Sequence, residues 1–282
     1  MPRRWPEGAY VAALLILTAA TGAVDGVSYL ALDRVFTGNM TGNVIFIGFG
    51  LVGVDGVPVL NNLVALLAFM AGAVIASRIT CRAPTDLHLP RSAVWILVVN
   101  TVLTFALAGL WSAVGTLEKG VMIVVTGLFS LLLGAQAAAV RSIGLSDLST
   151  VVVTMTAVNL SSDSRIAGGT GAAWGRRFGA IACMAVGALV SAVITTRIGA
   201  PTALLVAGTL MAVGVGLLAN ARRIERRRAG RPPPRPRPDP TDLAPGRRGD
   251  PPALGWDDRR LTAEEHPCPV PGPRGPTSPP CS

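Results

Sequence analysis

The sequence predicts an all-α integral membrane protein with two repeated halves, about six net crossings and two short broken or re-entrant segments. Three observations favour this fold class: long stretches almost free of charge, two shorter apolar stretches next to polar residues, and short motifs that recur in the same order. The 282 residues are 50% hydrophobic, with a mean hydropathy of +0.52. Soluble domains can reach that apolar fraction, but they carry charged residues throughout.

Six windows have the composition of membrane-spanning helices because Asp, Glu, Lys and Arg are nearly absent from them. They cover residues 10–24, 63–77, 93–115, 120–140, 178–196 and 202–220. Two further apolar windows, at residues 44–54 and 151–160, are shorter. A helix of that length rises only about 15 Å, half the thickness of a bilayer. We therefore expect these two windows to be broken or re-entrant.

The membrane part of the chain repeats itself. "NMTG" (39–42) matches "TMTA" (154–157), and "SRITCRAPT" (77–85) matches "TRIGAPT" (196–202), with a spacing of 115 to 119 residues. Each match occupies the same place in the order of apolar windows, which favours a duplication. The predicted parts are an N-terminal segment (1–9), a first membrane half (10–115), a second membrane half (116–220) and a tail (221–282).

The distribution of arginine predicts the orientation in the membrane. Arginines cluster before the first window, around the loop after residue 77, near residues 165–177 and in residues 222–228, whereas the loops at 54–58 and 116–119 are poor in basic residues. Because basic loops stay on the cytoplasmic side, both termini are expected there. Each half then crosses three times, and the second half is inverted. The alternative has eight crossings and parallel halves, and it places Arg78, Arg82, Arg91 and Arg141 outside, against the charge bias.

The tail divides into a basic part and a proline-rich part. Stretches such as "RPPPRPRPDP" cannot sustain a helix or bury a core, so we expect disorder. The basic run could in principle bind nucleic acid. Its position directly after a span favours anionic lipid headgroups instead, so the expected partners are the bilayer and its headgroups, and not nucleic acid. The arginines concerned are Arg222, Arg223, Arg226, Arg227 and Arg228.

The stretch "TGNMTGN" (37–43) is uncharged and lies beside apolar windows. Glycines tolerate unusual backbone angles, and Asn and Thr side chains can bond main-chain groups that a broken helix leaves unpaired. A break in a half-span is therefore one reading, and helix packing through small residues with Asn as an interhelical bond is the other. Its candidate site residues are Thr37, Asn39, Thr41, Gly42 and Asn43.

Asp25 is a carboxylate embedded between apolar stretches. Such groups are costly in a membrane and usually face the interior of a helix bundle. One interpretation is a proton-coupled or cation-binding role; the other is a structural carboxylate that caps a helix or pairs with Arg34. The corresponding part of the second half contributes four further polar candidates: Gln136, Thr154, Thr156 and Asn159.

Motifs for enzymatic chemistry are missing from the sequence. It contains no Walker loop, no G-x-S-x-G elbow and no H-E-x-x-H, and the single loop histidine, His88, has no partner at metal-ligand spacing. We therefore expect no enzymatic activity, no cofactor and no metal site.

The stretch "GAVDGVSYLALDRVFTGNMTGN" (22–43) resembles the signature of the YoaK family, the bacterial membrane proteins of domain of unknown function 1275. The second-half stretch 134–160 is similar to that family's later Gly-x-Gln-Asn and Thr-x-Thr-Gly phrases. Three residues depart from the family pattern: Asp33 and Ala157 replace Gly, and Ala137 replaces Asn. The resemblance implies a multi-pass protein of the bacterial inner membrane, and it implies no particular activity.

Repeated halves with polar interruptions favour a small-solute transporter, with a polar site between inverted halves. The alternative is a membrane scaffold or assembly factor in which the duplication repeats a packing unit. A functional role of Asp25 would distinguish the two.

Overall fold

The computed structural model describes residues 7–81, 89–142, 153–164, 167–169, 171 and 174–229. Within these residues the chain forms eight α-helices and no β-strand. Six of the helices are long and apolar enough to cross a membrane, which confirms an all-α integral membrane protein. The helices are α1 (Glu7–Ala31), α2 (Met40–Leu51), α3 (Val59–Cys81), α4 (Arg91–Val114), α5 (Lys119–Arg141), α6 (Val153–Ser162), α7 (Trp174–Arg197) and α8 (Ala200–Ala229).

The long helices extend beyond the apolar windows that predict them. α1 continues past Asp25 to Ala31, and α8 continues through the basic run to Ala229, so the first nine residues of the tail predicted to begin at residue 221 are helical. Arginine side chains at a helix end can extend to the headgroup region. The apolar window therefore stops at the first charged residue, while the helix continues through it. The proline-rich part of the predicted tail lies outside the described residues.

The two short windows correspond to α2, with 12 residues, and α6, with 10 residues. Twelve residues rise about 18 Å, too little to cross a bilayer. α2 packs on α3, and α6 packs on α7. These are the two short segments that the sequence predicts.

The long helices pack mainly across the boundary between the predicted halves. α1 packs against α7 and α8, while α3 packs against α5 and α4 packs against α8. In the predicted repeat, α5 is the counterpart of α1 and α3 is the counterpart of α7. The α3–α5 pair is therefore the repeat-related counterpart of the α1–α7 pair. The packing therefore has the symmetry of the repeat, and each of these pairs combines one helix from each half. α1 is the central helix, because 67% of its apolar window is buried.

The crossing of α1 and α7 depends on two glycines. A Cβ atom added to Gly22 would lie 2.2 Å from the carbonyl oxygen of Met184, and one added to Gly187 would lie 1.9 Å from that of Ala19. The backbones therefore touch directly, and only residues without a side chain fit. This is the small-residue packing through which membrane helices associate.

The crossing of α3 and α5 repeats this arrangement. A Cβ atom on Gly72 would lie 2.0 Å from the carbonyl oxygen of Leu131, and one on Gly134 would lie 2.1 Å from that of Phe69. In both crossings the blocking carbonyl belongs to the residue three positions before the glycine of the partner helix. Two crossings with the same geometry support the predicted duplication.

Helices α1 and α7 run in the same direction. Leu15 lies near Gly179, Gly22 lies opposite Gly187, and Gly26 lies near Ser191, so positions advance together along both helices. The two helices therefore begin at the same face of the bundle.

The ends of α1, α4 and α8 meet at that face. The Tyr10 hydroxyl donates a hydrogen bond of 2.9 Å to Glu225, and Arg222 Nε donates one of 2.9 Å to the carbonyl oxygen of Leu89, just before α4. We call this end of the bundle the basic face. The described arginines near this end of the helices are Arg78, Arg91, Arg141, Arg176, Arg177, Arg222, Arg223, Arg226 and Arg227. Arg3, Arg4, Arg82 and Arg165, which the orientation argument also uses, lie outside the described residues.

Candidate functional site

The chain folds back into the bundle after α1. The connecting residues 32–39 return along α1, and Gly38 lies against Thr21 and Asp25. Thr21 and Asp25 stand ten and six residues before the end of α1, about 15 and 9 Å along its axis. α2 then begins at Met40 and runs back toward that end, since Gly50 contacts Val59 at the start of α3.

The start of α3 lies beside the end of α1. Asn61 Nδ2 donates a hydrogen bond of 3.1 Å to the carbonyl oxygen of Leu32. α1 and α3 therefore meet at the face opposite the basic face, and the loop with α2 is a re-entrant excursion from that face. The predicted break is present at this point.

Asp25 holds the re-entrant loop from the side of α1. Its Oδ1 accepts hydrogen bonds from the Thr37 backbone amide (3.0 Å), the Thr37 hydroxyl (3.3 Å) and the Gly38 backbone amide (2.6 Å). These amides precede the N-terminus of α2, where a negative charge is favoured by the helix dipole. Its Oδ2 is buried and has no hydrogen-bond partner among the described residues. The predicted pairing with Arg34 is not among the ion pairs of the described part of the chain.

Asn43 closes the loop by bonding both main-chain groups of one residue. Its Nδ2 donates to the Phe36 carbonyl oxygen at 2.6 Å, and its Oδ1 accepts from the Phe36 amide at 3.0 Å. Asn39 caps α2, with its Oδ1 accepting from the Gly42 amide at 3.3 Å. These two asparagines replace main-chain bonds that an irregular segment would leave unmade inside a bilayer.

The small residues of the motif allow close packing. A Cβ atom on Gly38 would lie 3.2 Å from both Asp25 and Thr21, and one on Gly42 would lie 2.9 Å from the ring of Phe36. Thr41 points away and is exposed. Of the five candidates in the motif, four therefore build the loop, and Thr41 does not contact it.

Gln136 reaches the same region from α5. Its Nε2 donates to the Thr21 hydroxyl at 3.1 Å, and its Oε1 accepts from Asn100 Nδ2 at 2.8 Å. Since the methyl group of Thr21 lies against Gly38, the chain of contacts runs from Asn100 to the loop. Sequence reasoning missed Asn100 and Thr21. Asn100 could have been noticed as an amide inside an otherwise apolar window.

The candidates on α6 lie elsewhere. Thr154 is exposed, Thr156 is buried and Asn159 is half-buried. Arg177 at the start of α7 donates to the Asn159 carbonyl oxygen at 2.9 Å and also pairs with Asp163. The Asn159 end of α6 is therefore at the basic face, whereas the Asp25 loop enters from the opposite face.

A groove of about 300 Å³ lies between α1 and α7, beside the re-entrant loop. Asp25 and Asn39 are among the residues that line it, Met184 lines it from α7, and the exposed surface of the lining is almost entirely apolar. The rings of Tyr29 and Phe36, which also line it, stack with centroids 4.9 Å apart. Its lining includes no Lys and no Arg. We call this cavity the Asp25 groove.

Within the described residues, no group of three or more His, Cys, Asp and Glu side chains is arranged to hold a metal ion. The sequence-based expectations of no metal and no cofactor remain predictions.

The sequence was compared with known protein families. The family model described as "Protein of unknown function (DUF1275)" matches residues 13–217, which include every helix of the membrane part except the ends of α1 and α8. The chain belongs to the DUF1275 family. The resemblance carried by residues 22–43 is thereby confirmed.

One curated protein is similar to the chain. It is the "UPF0700 transmembrane protein YoaK" of Bacillus subtilis (strain 168), 33% identical over 150 residues. The match covers 53% of this chain and 64% of that protein, just under two thirds of its length. No solved structure matches.

The structure explains one departure from the DUF1275 pattern. Asp33, which the sequence resemblance marks as a departure from the family pattern, adopts a φ of 65°, and Arg34 follows with a φ of 57°. This left-handed region favours glycine, and aspartate is among the residues that tolerate it best. The turn that begins the re-entrant loop therefore has the geometry that the family's glycine suits.

Proposed function

We propose that this DUF1275 protein is a small-solute transporter of the bacterial inner membrane, with its solute site in the Asp25 groove. One observation carries the proposal: Asp25, 4% exposed, lines a groove and has one carboxylate oxygen without a hydrogen-bond partner in the described part of the chain. The proposal assigns no enzymatic activity to the protein.

The physical argument concerns the cost of a buried carboxylate. A charged group in a membrane costs several kcal/mol unless protein or water compensates it. Oδ1 alone makes the bonds that hold the loop, and a neutral amide could accept those bonds as well. A carboxylate at this position is therefore more expensive than loop packing requires. An interaction between the carboxylate and a bound solute would compensate this cost.

The position of the groove also supports transport. Its walls come from α1 in the first half and α7 in the second half, with a re-entrant segment beside it. Secondary transporters built from inverted repeats bind their substrates between the repeats, at discontinuous helices. The basic face would be cytoplasmic by the positive-inside rule, with both termini there.

The basic end of α8 is proposed to contact anionic lipid headgroups. Arg223, Arg226 and Arg227 follow Arg222 in the last turns of the helix, next to a membrane-spanning stretch. Each basic residue near an anionic surface contributes about 1 kcal/mol to membrane attraction. The absence of a nucleic-acid partner remains a prediction.

A membrane scaffold or assembly factor is the second candidate. The glycine crossings and the Asn43 clamp favour it, because both are complete without any solute. A scaffold would use the repeat only as a way to pack helices. The two candidates differ in what the charge of Asp25 does.

The test compares metabolite uptake and efflux in cells that contain the wild-type protein, Asp25→Asn or no protein. Asp33→Asn is the matched control because it removes a carboxylate from an exposed turn. Asp25→Asn keeps an oxygen for the loop, so we expect wild-type levels of membrane-inserted protein together with the solute profile of cells without it. Identical profiles in all four strains would favour the scaffold.

Thiol labelling tests whether the groove is wet. In a background without the native cysteines, a cysteine at Asn39 should react with a small hydrophilic reagent because Asn39 lines the groove. Cysteines at Leu66 and Val190, in apolar stretches, should react much less. Equal inertness at all three positions would indicate a dry packing motif.

A further inference from the structure

We infer that the Asp25 groove recognises an organic cation with a small apolar body. The inference rests on the proposed function, which makes this groove the solute site of a transporter. It adds the chemical class of the solute. Charge, ring geometry and size each contribute to it.

In the described part of the chain, no cationic side chain lines the groove beside the carboxylate of Asp25. Asp25 is buried, its Oδ2 has no partner among the described residues, and the residues that line the groove include no basic side chain. An anionic solute would add a second negative charge in a site of low dielectric, which is strongly unfavourable. A cation in the groove would instead offset the charge of Asp25.

The aromatic residues favour a cation for an independent reason. Tyr29 and Phe36 stack on each other at 4.9 Å, and Phe46 lies 6.2 Å from both rings. The faces of aromatic rings attract cations, the rings also pack against apolar groups, and cation–π contacts strengthen when water is excluded.

The remaining lining residues indicate the size and polarity of the solute body that would fit. Gly22, Gly26, Ala188 and Ala192 give a smooth apolar wall, and Met184 adds an adaptable thioether. The volume of about 300 Å³ lies at the lower end of the range for ligand pockets. A single aromatic ring with a short aminoalkyl chain fits this description.

The experiment uses three probes that share a phenyl body and differ in charge: 2-phenylethylamine, 3-phenylpropionate and 2-phenylethanol. Binding of each radiolabelled probe is measured with the purified full-length protein in lipid nanodiscs. We expect the amine to bind about tenfold or more tightly than the other two, which corresponds to about 1.4 kcal/mol or more.

Two pairs of variants locate the site. Asp25→Asn should weaken amine binding about tenfold or more, whereas Asp33→Asn should leave it unchanged. Ala192→Leu should block the groove without removing any hydrogen bond, and Val193→Leu, on the exposed side of the same helix, should not. Since Ala192→Leu keeps the Asp25 loop intact, it tests the site even if Asp25→Asn fails to fold.

The outcomes separate this inference from the proposed function. Binding of the amine that depends on Asp25 and Ala192, without flux in proteoliposomes, would support the inference and overturn transport. Flux of the anion or the alcohol with no preference for the amine would support transport and overturn the inference. Failure of the wild-type protein to bind the amine, or full binding by Ala192→Leu, would also overturn it.

Discussion

Asparagine side chains solve a local problem in this molecule. A main-chain turn inside a bilayer has no water to satisfy its N–H and C=O groups, and each unsatisfied group costs several kcal/mol. Asn43 satisfies both groups of Phe36 with one amide, and it is fully buried. An uncharged side chain with a donor and an acceptor is the cheapest way to do this, which explains why the motif is polar without being charged.

Removing that amide should destabilise the protein. Asn43→Ala leaves two buried main-chain groups unpaired, at about 1–3 kcal/mol each. We expect a clear fall in the thermal unfolding midpoint in detergent. Thr41→Ala is the matched control, since Thr41 belongs to the same motif but is exposed, and its midpoint should stay near that of the wild type. Equal midpoints for the two variants would show that the clamp contributes little.

Backbone strain at Asp33 leads to a second prediction, in which a substitution does not lower the thermal unfolding midpoint. A residue with a side chain pays about 1 kcal/mol for the left-handed region, and glycine does not. Asp33→Gly should therefore leave the unfolding midpoint unchanged or raise it by a few degrees. Asp33→Val, with a β-branched side chain, should lower it. A drop for the glycine variant would mean that the Asp33 side chain makes a stabilising contact in the bilayer.

At the scale of the helices, the two halves are interlocked. α1 and α7 touch through Gly22 and Gly187, and α3 and α5 touch through Gly72 and Gly134. These pairs combine helices from different halves, so neither half has a complete interface of its own. A transport motion would therefore move the α1–α7 pair relative to the α3–α5 pair, and not one half of the sequence relative to the other.

A single methyl group tests this interlock. Gly187→Ala would place its Cβ 1.9 Å from the Ala19 carbonyl oxygen, so the helices must separate and stability should fall. Gly216→Ala in α8 is the control because no atom lies within 4 Å of its added Cβ. In a helix, alanine is about 0.5–1 kcal/mol more favourable than glycine, so the control should be neutral or more stable. A similar fall in both midpoints, measured in detergent, would contradict the tight crossing.

The sequence predicts the elements better than their partners. An uncharged stretch identifies a membrane span because the cost of placing charged groups in lipid can be read from the sequence alone. The six long helices and the two short ones are therefore all predicted. The pairing of α1 with α7 is not, because a glycine such as Gly187 looks the same in any helix and its partner depends on the whole fold. For the site, Asp25, Thr37 and Asn43 are close in sequence and were predicted together. The contact from Asn100 through Gln136 joins three helices, and no local pattern specifies it.

At the scale of the whole molecule, most of the described arginines lie toward the basic face, whereas Arg34 and Arg197 lie at the opposite ends of α1 and α7. The Tyr10–Glu225 and Arg222–Leu89 hydrogen bonds join the start of α1, the end of α8 and the residue before α4 at the basic face. α7 runs parallel to α1 and begins at the same face with Arg176 and Arg177. The opposite face carries the entrance of the Asp25 loop and the basic-poor turn between α4 and α5. The excess of arginine at the basic face is what six crossings with an inverted second half predict.

That separation predicts the orientation of every loop. Because the positive-inside rule applies to short loops beside spans, the basic face should be cytoplasmic and the Asp25 loop should open from outside. Reporter fusions at Asp55 and Glu118 should therefore give an external signal, and fusions at Asp163 and at Asp86, between α3 and α4, an internal one. Asp86 lies outside the described residues, but α3 and α4 on either side of it fix the expectation. An external signal there would mean that α2 crosses the membrane, which its 12 residues should not allow, and would restore the arrangement with eight crossings and parallel halves.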